Sequence, residues 1–417
     1  MNKLIVHPGG ALCGSVPIGG AKNAALPILA ACLLCDGPSL IGNLPDIRDV
    51  RIALRILGGM GVEMERIDAH TYRIDPTHAA PPAVADPLTG SMRASAYFLG
   101  ACLGKFGEGC IGTIGGCDFG GRPIDQHVKA FAALGATVSL SEQEIHVRGT
   151  RLRGAKIGFD TVSVGATVNA ILAAVLAEGE SVLHMAASEP HIADLAAFLN
   201  RAGADIRGAG TATIRIRGVR HLRGCTYAVV PDMIEAGTYL LAGAATRGAV
   251  RVRGVHPGHL RALLEKLRES GADVDCTDTD ITVFGISPLR GVEVTTHPYP
   301  GFPTDLQPQM TAYLCTTEGG SRVQENIWQH RFRYATELQN MGAAIALSDS
   351  VATVRGTSLH GAEMTVPDLR AGAALLIAAC AAEGESVLHD PWWLERGYEN
   401  YVEKFRQIGA DICEQSD

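Results

Sequence analysis

Apolar and polar positions along the chain fall into two alternating regimes. Ala/Leu-rich stretches, such as residues 24–34, read as helices, and short apolar runs such as Ser181-Val182-Leu183-His184 read as strands. Glycine punctuates the alternation. Gly135-Ala136, Gly203-Ala204, Gly271-Ala272, Gly342-Ala343 and Gly409-Ala410 each close a helix, and Gly61-Val62 is a degenerate first copy. Between them, Gly37, Gly107, Gly179, Gly248, Gly319 and Gly384 each end an Ala/Leu-rich stretch ahead of a strand-like run. The period is about 70 residues, which predicts six units of helix, strand, helix, strand, strand. The fold class is therefore α/β, with sheets covered by helices.

A chain of 417 residues exceeds the size at which single cores split, roughly 250–300 residues, so two domains of three repeats are expected. The net charge of −8 comes without any Lys/Arg run, which excludes a basic stripe and argues against nucleic acid as a partner. The start, Met1 to Val6 followed by His7-Pro8-Gly9-Gly10, is too short an apolar run for a signal peptide, and residues 24–34 contain Pro27 and fall well short of a membrane span. A soluble, cytoplasmic protein with no membrane partner is expected. The 11 cysteines are spread singly through apolar segments and read mostly as core thiols in a reducing compartment. Cys32 and Cys35 form half a metal or redox motif with no second pair, and core packing is the better reading. No HExxH, Walker or GxGxxG motif is present, so neither a metal nor a dinucleotide cofactor is expected.

Polar residues collect at the helix starts. Asn, Asp, Ser and Thr there are ordinary N-caps, as in Ser163-Val164-Gly165 or Asp368. Cations are not, because a positive charge in the first turn opposes the helix dipole by about 0.3–1 kcal/mol. Lys22, Arg48, Arg93, Arg122, Arg331, Arg370 and Arg396 are all read at such positions. Guanidinium groups grip phosphate and carboxylate in a fork, so cations gathered at helix N-termini point to a strongly anionic ligand. The competing reading is that each pairs with a nearby acid, as Arg48 could with Asp46 or Asp49.

Residues 115–123 form a Gly/Pro-rich loop, Gly-Gly-Cys-Asp-Phe-Gly-Gly-Arg-Pro, which predicts an exposed Cys117 beside Arg122 and a helix start, a setting that can lower a thiol pKa. An inert loop cysteine is the alternative. Asp305, with Pro308 fixing the first turn after it, is either a plain N-cap or a general base for a hydroxyl. His127 and His330 read as surface or satisfied histidines.

Taken together, Gly20-Ala21-Lys22-Asn23-Ala24-Ala25-Leu26-Pro27, Met92-Arg93-Ala94-Ser95, the Cys loop through Arg122-Pro123, Ser163-Val164-Gly165-Ala166-Thr167, Phe302-Pro303-Thr304-Asp305, Asp368-Leu369-Arg370 and Arg396-Gly397-Tyr398-Glu399 resemble the UDP-N-acetylglucosamine enolpyruvyl transferases of the EPSP synthase family. The resemblance covers essentially the whole chain. It implies a two-domain inverse α/β barrel (prism) of six βαβαββ repeats, three per domain. Residues 22–229 would form the domain carrying the Cys loop, residues 1–21 with 230–417 the second, and the active site would lie in the cleft between them.

The activity implied is transfer of the enolpyruvyl group of phosphoenolpyruvate to a sugar hydroxyl of a uridine nucleotide, with release of phosphate, at the first committed step of peptidoglycan precursor synthesis. By motif, Lys22, Arg122 and Arg396 resemble phosphoenolpyruvate ligands, and Arg93 with Ser163, Val164 and Gly165 resembles nucleotide phosphate ligands. Cys117 resembles the mobile-loop acid that protonates the enol carbon and the residue that fosfomycin alkylates. Asp305 resembles the base or late proton acceptor at the hydroxyl, Asn23 orients the sugar, and Arg122, Pro123, Ile124, Asp125 and Gln126 resemble the uridine-binding stretch. Arg48, Arg331 and Arg370 complete the substrate-facing set.

The chain departs from the family pattern on the acceptor side. Thr161 stands near a position where the family carries a lysine, Met233 replaces an arginine, Val168 replaces a common Glu, and Trp328-Gln329-His330-Arg331 replaces Phe-Glu-Asn-Arg. Two missing cations beside intact donor residues suggest UMP as an alternative acceptor, as in nucleoside-antibiotic pathways. EPSP synthase itself lacks the Cys loop and ranks behind both. A catalytically dead paralogue that senses a uridine nucleotide is the reading of another class.

Overall fold

A computed structural model describes residues 3–82, 86–112, 124–286 and 288–415. The chain divides into two compact units, one of Gly20–Val230 and one of Met1–Gly19 with Pro231–Asp417.

In Gly20–Val230, the helices Lys22–Cys32, Tyr97–Phe106 and Val164–Ala174 pack together as an apolar inner layer. In the other unit, Met233–Ala245, Gln307–Leu314 and Leu369–Ala381 do the same, and all eight residues of the middle helix are buried. Such helices are apolar on every side because no face meets water. The N-caps appear where the sequence places them. Ser163, Asp232 and Asp368 accept backbone N–H bonds of the first turn through their side chains.

The glycine punctuation has a conformational cause. Gly61, Gly135, Gly203, Gly271, Gly342 and Gly409 all take φ between +84° and +110°, the left-handed turn that stops a helix. The second marker holds at Gly107, Gly179, Gly319 and Gly384, with φ between +77° and +97°. At Gly248 the left-handed position falls instead on Arg247, at φ +58°.

Five of the sheets share one pattern, a parallel pair of strands followed by two antiparallel strands. Lys156–Gly158 pairs in parallel with Glu180–His184, which pairs antiparallel with Thr213–Arg217, and Asp205–Arg207 forms the edge. Five sheets have four strands, and the sixth has three among the described residues. The βαβαββ repeat and the two-domain α/β class are thus as expected. Periodicity alone missed the leading parallel strand of each repeat, because segments of three to five residues such as Thr226–Ala228 and Cys13–Pro17 are too short to show a period.

Three sheets are closed by segments distant in sequence, one of them by Cys13–Pro17 pairing in parallel with Ala249–Arg253. Thr226–Ala228 pairs with Ser39–Gly42 and completes the first repeat, while Lys3–Val6 lies between Ser386–His389 and Ile412–Gln415 and completes the last. No described helix is long and apolar enough to cross a membrane.

Candidate active site

In Gly20–Val230, Lys22 opens its helix with no side-chain cap, and its Nζ lies 2.8 Å from Asp49 Oδ2, with both groups largely buried. Asn23 follows on the same turn. Arg48 is the first residue of the helix Arg48–Gly59 and is exposed. Of the acids near it in sequence, Asp49 lies against Lys22, and Asp46 is 2.6 Å from Arg51 and 3.5 Å from Arg66.

Arg93 starts a short 3-10 turn, Arg93–Ala96, and burial pulls its guanidinium pKa down. Its neighbour in charge is His127, whose ring is buried and whose pKa falls to about 4, through burial first and the Arg93 charge second, with Asp125 opposing. Asn169 sets the tautomer of this histidine. The Gly100 N–H donates to Asn169 Oδ1 at 2.8 Å, so Asn169 Nδ2 is the group that donates to His127 Nδ1 at 3.0 Å. His127 is therefore neutral with its proton on Nε2.

Against that ring stands Gly165, where a Cβ would lie 2.9 Å from His127 Nε2. The turn Ser163-Val164-Gly165 is held by the Ser163 cap and by Thr167, which donates to Ser163 O at 2.8 Å and accepts from Ala187 N at 3.0 Å. This leaves a helix N-terminus with a conformation set from behind by a buried histidine.

Ile124 immediately precedes the helix Asp125–Ala133. Gln126 is buried, donates to Asp125 and Asp160, and accepts from Asp160 N at 2.9 Å, so it ties this helix start to residue 160. Cys117, Arg122 and Pro123, with the rest of the 115–123 loop, lie outside the described residues.

In the second unit the centre is Asp305. It sits in a 3-10 turn, Thr304–Leu306, ahead of Gln307–Leu314, and the cap positions of both elements, Pro303 and Leu306, make no side-chain cap bond. Its two carboxylate oxygens are shared by two buried arginines, Oδ1 with Arg331 at 3.2 Å and Oδ2 with Arg370 at 2.9 Å. The arginines are 3% and 6% exposed, against 29% for Asp305. Arg370 also donates to Tyr398 OH at 3.3 Å, and Tyr398 contacts Thr238 and Gln309 at 3.0 and 3.1 Å. Burial opposes the Arg370 charge, but Asp305, Tyr398 and Asp232 outweigh it and raise its pKa above that of a free guanidinium. The arrangement fixes a partly exposed carboxylate on a rigid, charged support.

Two arginines are not where the sequence reading puts them. Arg396 ends the short helix Pro391–Arg396 rather than beginning one, with its guanidinium 5.4 Å from the Trp393 ring. Arg331 lies in a turn, four residues before the helix Ala335–Asn340. The pairing alternative holds for Lys22, Arg331 and Arg370, whose acids come from 27, 26 and 65 residues away. Such distances put the partners beyond any local reading.

Several site residues were missed. Glu325 is 3% exposed and accepts four bonds, from Thr296 Oγ1, Thr304 Oγ1, Ile327 N and Trp328 N, all between 2.8 and 3.0 Å. It joins the Asp305 turn to the segment that carries Arg331. Glu235 is buried, bonded to Lys404 Nζ at 2.6 Å and to Gly19 N at 3.1 Å; burial raises its pKa and Lys404 opposes the rise. Met233, where the family pattern has arginine, lines a cavity of about 310 Å³ with His259, Arg261, Tyr299 and Pro303. The buried Cys35 thiol is pushed up to about 11 by burial, and Cys32 is also raised, as core thiols should be.

The sequence model of the family described as EPSP synthase (3-phosphoshikimate 1-carboxyvinyltransferase) matches residues 6–405. The chain is 48% identical over 99% of both lengths to a UDP-N-acetylglucosamine 1-carboxyvinyltransferase 2 of Clostridium acetobutylicum, and 43% identical to one of Listeria monocytogenes, covering 100% of this chain and 98% of that protein. Among solved structures, the enolpyruvyl transferase NikO from Streptomyces tendae superposes with a TM-score of 0.90 at 28% identity, covering 100% and 99% of the two chains. EPSP synthase from Acinetobacter baumannii, at 18% identity and a TM-score of 0.78, shares the fold. With the βαβαββ repeats, these matches place the chain in the EPSP synthase family of enolpyruvyl (carboxyvinyl) transferases.

Proposed function

We propose that the protein transfers the enolpyruvyl group of phosphoenolpyruvate to a hydroxyl of UDP-N-acetylglucosamine, releasing inorganic phosphate, in the cytoplasm at the first committed step of cell-wall precursor synthesis. The observation that carries the acceptor is full-length identity of 43–48% to relatives named UDP-N-acetylglucosamine 1-carboxyvinyltransferase. The clamped carboxylate of Asp305 supports the chemistry, since a hydroxyl adding to a carbon must surrender its proton to a positioned acceptor.

In balanced form, a proton adds to C3 of phosphoenolpyruvate and the acceptor oxygen bonds to C2 while its proton leaves. A C3 proton then departs as the C–O bond to phosphate breaks, which restores the double bond. Cys117 supplies the C3 proton, and the same thiol is the expected target of fosfomycin. Asp305 takes the hydroxyl proton, while Arg331 and Arg370 orient it. Lys22, Arg122 and Arg396 bind the phosphate and carboxylate of the donor. Arg93, Arg48 and the turn at Ser163, Val164 and Gly165 bind nucleotide phosphate, with Asn23 at the sugar. Pro123, Ile124, Asp125 and Gln126 contact the uracil.

A second reading, with UMP as acceptor, is favoured by Thr161 and Met233, which remove two cations from the nucleotide side. Isothermal titration of wild type and Cys117→Ala with UDP-N-acetylglucosamine and UMP, beside turnover, separates the readings. The proposal expects the sugar nucleotide to bind both forms and Cys117→Ala to lose turnover. Tighter and productive binding of UMP alone would replace the acceptor, and unchanged absence of turnover in both forms would favour the sensor reading.

A further inference from the structure

We propose that Cys110, His146 and Glu144 form a binding site for a borderline-soft divalent metal ion of the zinc class. None of the three belongs to the residues read as substrate contacts. The placement follows from strand register. Glu108–Gly112 and Glu144–Arg148 are antiparallel, with Cys110 opposite His146, so these two side chains share a face, and Glu144 joins them two residues along. Ile145 and Val147 occupy the other face, in the core.

The ligand atoms converge on a point. Cys110 Sγ lies 3.4 Å from His146 Nε2, His146 Nε2 lies 2.8 Å from Glu144 Oε2, and all three atoms fall within 4.8 Å of one another. Zinc bonds of about 2.3 Å to sulfur and about 2.0–2.1 Å to nitrogen at a tetrahedral angle imply a sulfur–nitrogen edge of about 3.5 Å and a nitrogen–oxygen edge of about 3.3 Å. The first edge already fits. The second requires the Glu144 carboxylate to withdraw by about 0.5 Å, a small rotation of a flexible side chain.

The same geometry argues against an activated-cysteine triad. In a triad the imidazole meets the nucleophile with one nitrogen and the carboxylate with the other. Here a single nitrogen, Nε2, faces both groups. Arg148, also on this face, is occupied by Glu108 at 3.2 Å and so does not supply the countercharge for a thiolate.

Binding converts the Cys110 thiol to a thiolate with release of one proton, and moves the His146 proton to Nδ1 so that Nε2 can coordinate. The fourth position is left for water. A sulfur, nitrogen and oxygen donor set selects Zn²⁺ or Co²⁺ over Mg²⁺ or Ca²⁺.

The test is a Co²⁺ titration of the reduced, metal-free full-length chain in a Cys117→Ser background, which removes the loop thiol. One cobalt per chain with a sulfur-to-cobalt charge-transfer band is expected, undisturbed by a hundredfold excess of Mg²⁺. Cys110→Ser should abolish the band. His146 is 48% exposed, so His146→Ala can fold normally and should weaken binding at least tenfold with an unchanged metal-free melting temperature. The proposal is overturned by absence of the band in the parent, by its persistence in Cys110→Ser, or by His146→Ala binding within twofold of the parent.

Discussion

Replacing Arg370 with methionine removes one arm of the Asp305 clamp. At 2.9 Å the gross attraction between guanidinium and carboxylate is about 6 kcal/mol in an effective dielectric of about 20. Most of this does not appear as stability. The folded state no longer has to desolvate a guanidinium, Asp305 keeps Arg331 at 3.2 Å and remains 29% exposed, and Tyr398 keeps Thr238 and Gln309 as partners. Methionine also refills the apolar part of the space. A loss of about 2 kcal/mol is expected, below the roughly 3–5 kcal/mol typical when a buried charge is stranded. Arg331→Met with Arg370→Met takes away both arms, and the double variant should lose about 1 kcal/mol more than the sum of the singles. Urea unfolding measures this, with the transition of the unit containing Pro231–Asp417 fitted separately, since two compact units need not unfold together. Turnover of Arg370→Met should fall at least about tenfold in kcat with a smaller change in KM, as expected when a group is misaligned rather than unbound. A loss below about 0.5 kcal/mol, or strict additivity of the two changes, would refute the clamp.

Three further outcomes follow from single contacts. Glu325→Gln keeps a carbonyl for Thr296 Oγ1, Ile327 N and Trp328 N and turns its amide to Thr304 Oγ1, which can accept, so only the charge assistance is lost; a loss of about 1–2 kcal/mol in urea unfolding is expected, and a loss under about 0.5 kcal/mol would contradict the network. His127 titrates near 4 when folded against about 6.5 when unfolded. The unfolded chain binds the extra proton between these values, so stability falls as pH drops from about 6.5 to about 4, by roughly 3 kcal/mol. His127→Gln should flatten that part of the pH–stability curve, and an unchanged slope would place the titration elsewhere. Gly165→Ala drives a methyl into the His127 ring at 2.9 Å and should cost about 1–3 kcal/mol, partly recovered by adding His127→Ala; no recovery would show that the ring is not the obstacle.

The repeat was legible because its punctuation is conformational. A glycine at φ near +90° stops a helix wherever it occurs, and the Gly-Ala copies keep that role. The leading strands were hidden by their length, and the partners of Lys3–Val6 could not be read because they are set by closure of the last sheet. Residue type and position single out Lys22, Arg93, Asp305, Ser163 and Arg370 as candidates, but not the contacts that hold them. Asp49, Arg370, Glu325 and Asn169 act across 21 to 69 positions, and nothing in the local pattern distinguishes a buried Glu325 from a solvated one. The misplacement of Arg396 has the opposite origin. Arg396, read at a helix start from residue type alone, in fact ends the short helix Pro391–Arg396.

The central claim is tested most directly by mixing the protein with phosphoenolpyruvate and, in turn, UDP-N-acetylglucosamine, UMP and shikimate 3-phosphate, and measuring inorganic phosphate together with the carboxyvinyl product. One phosphate per carboxyvinyl ether is expected with the sugar nucleotide, and none with shikimate 3-phosphate. Phosphate released with UMP alone, or with none of the three acceptors, would contradict it.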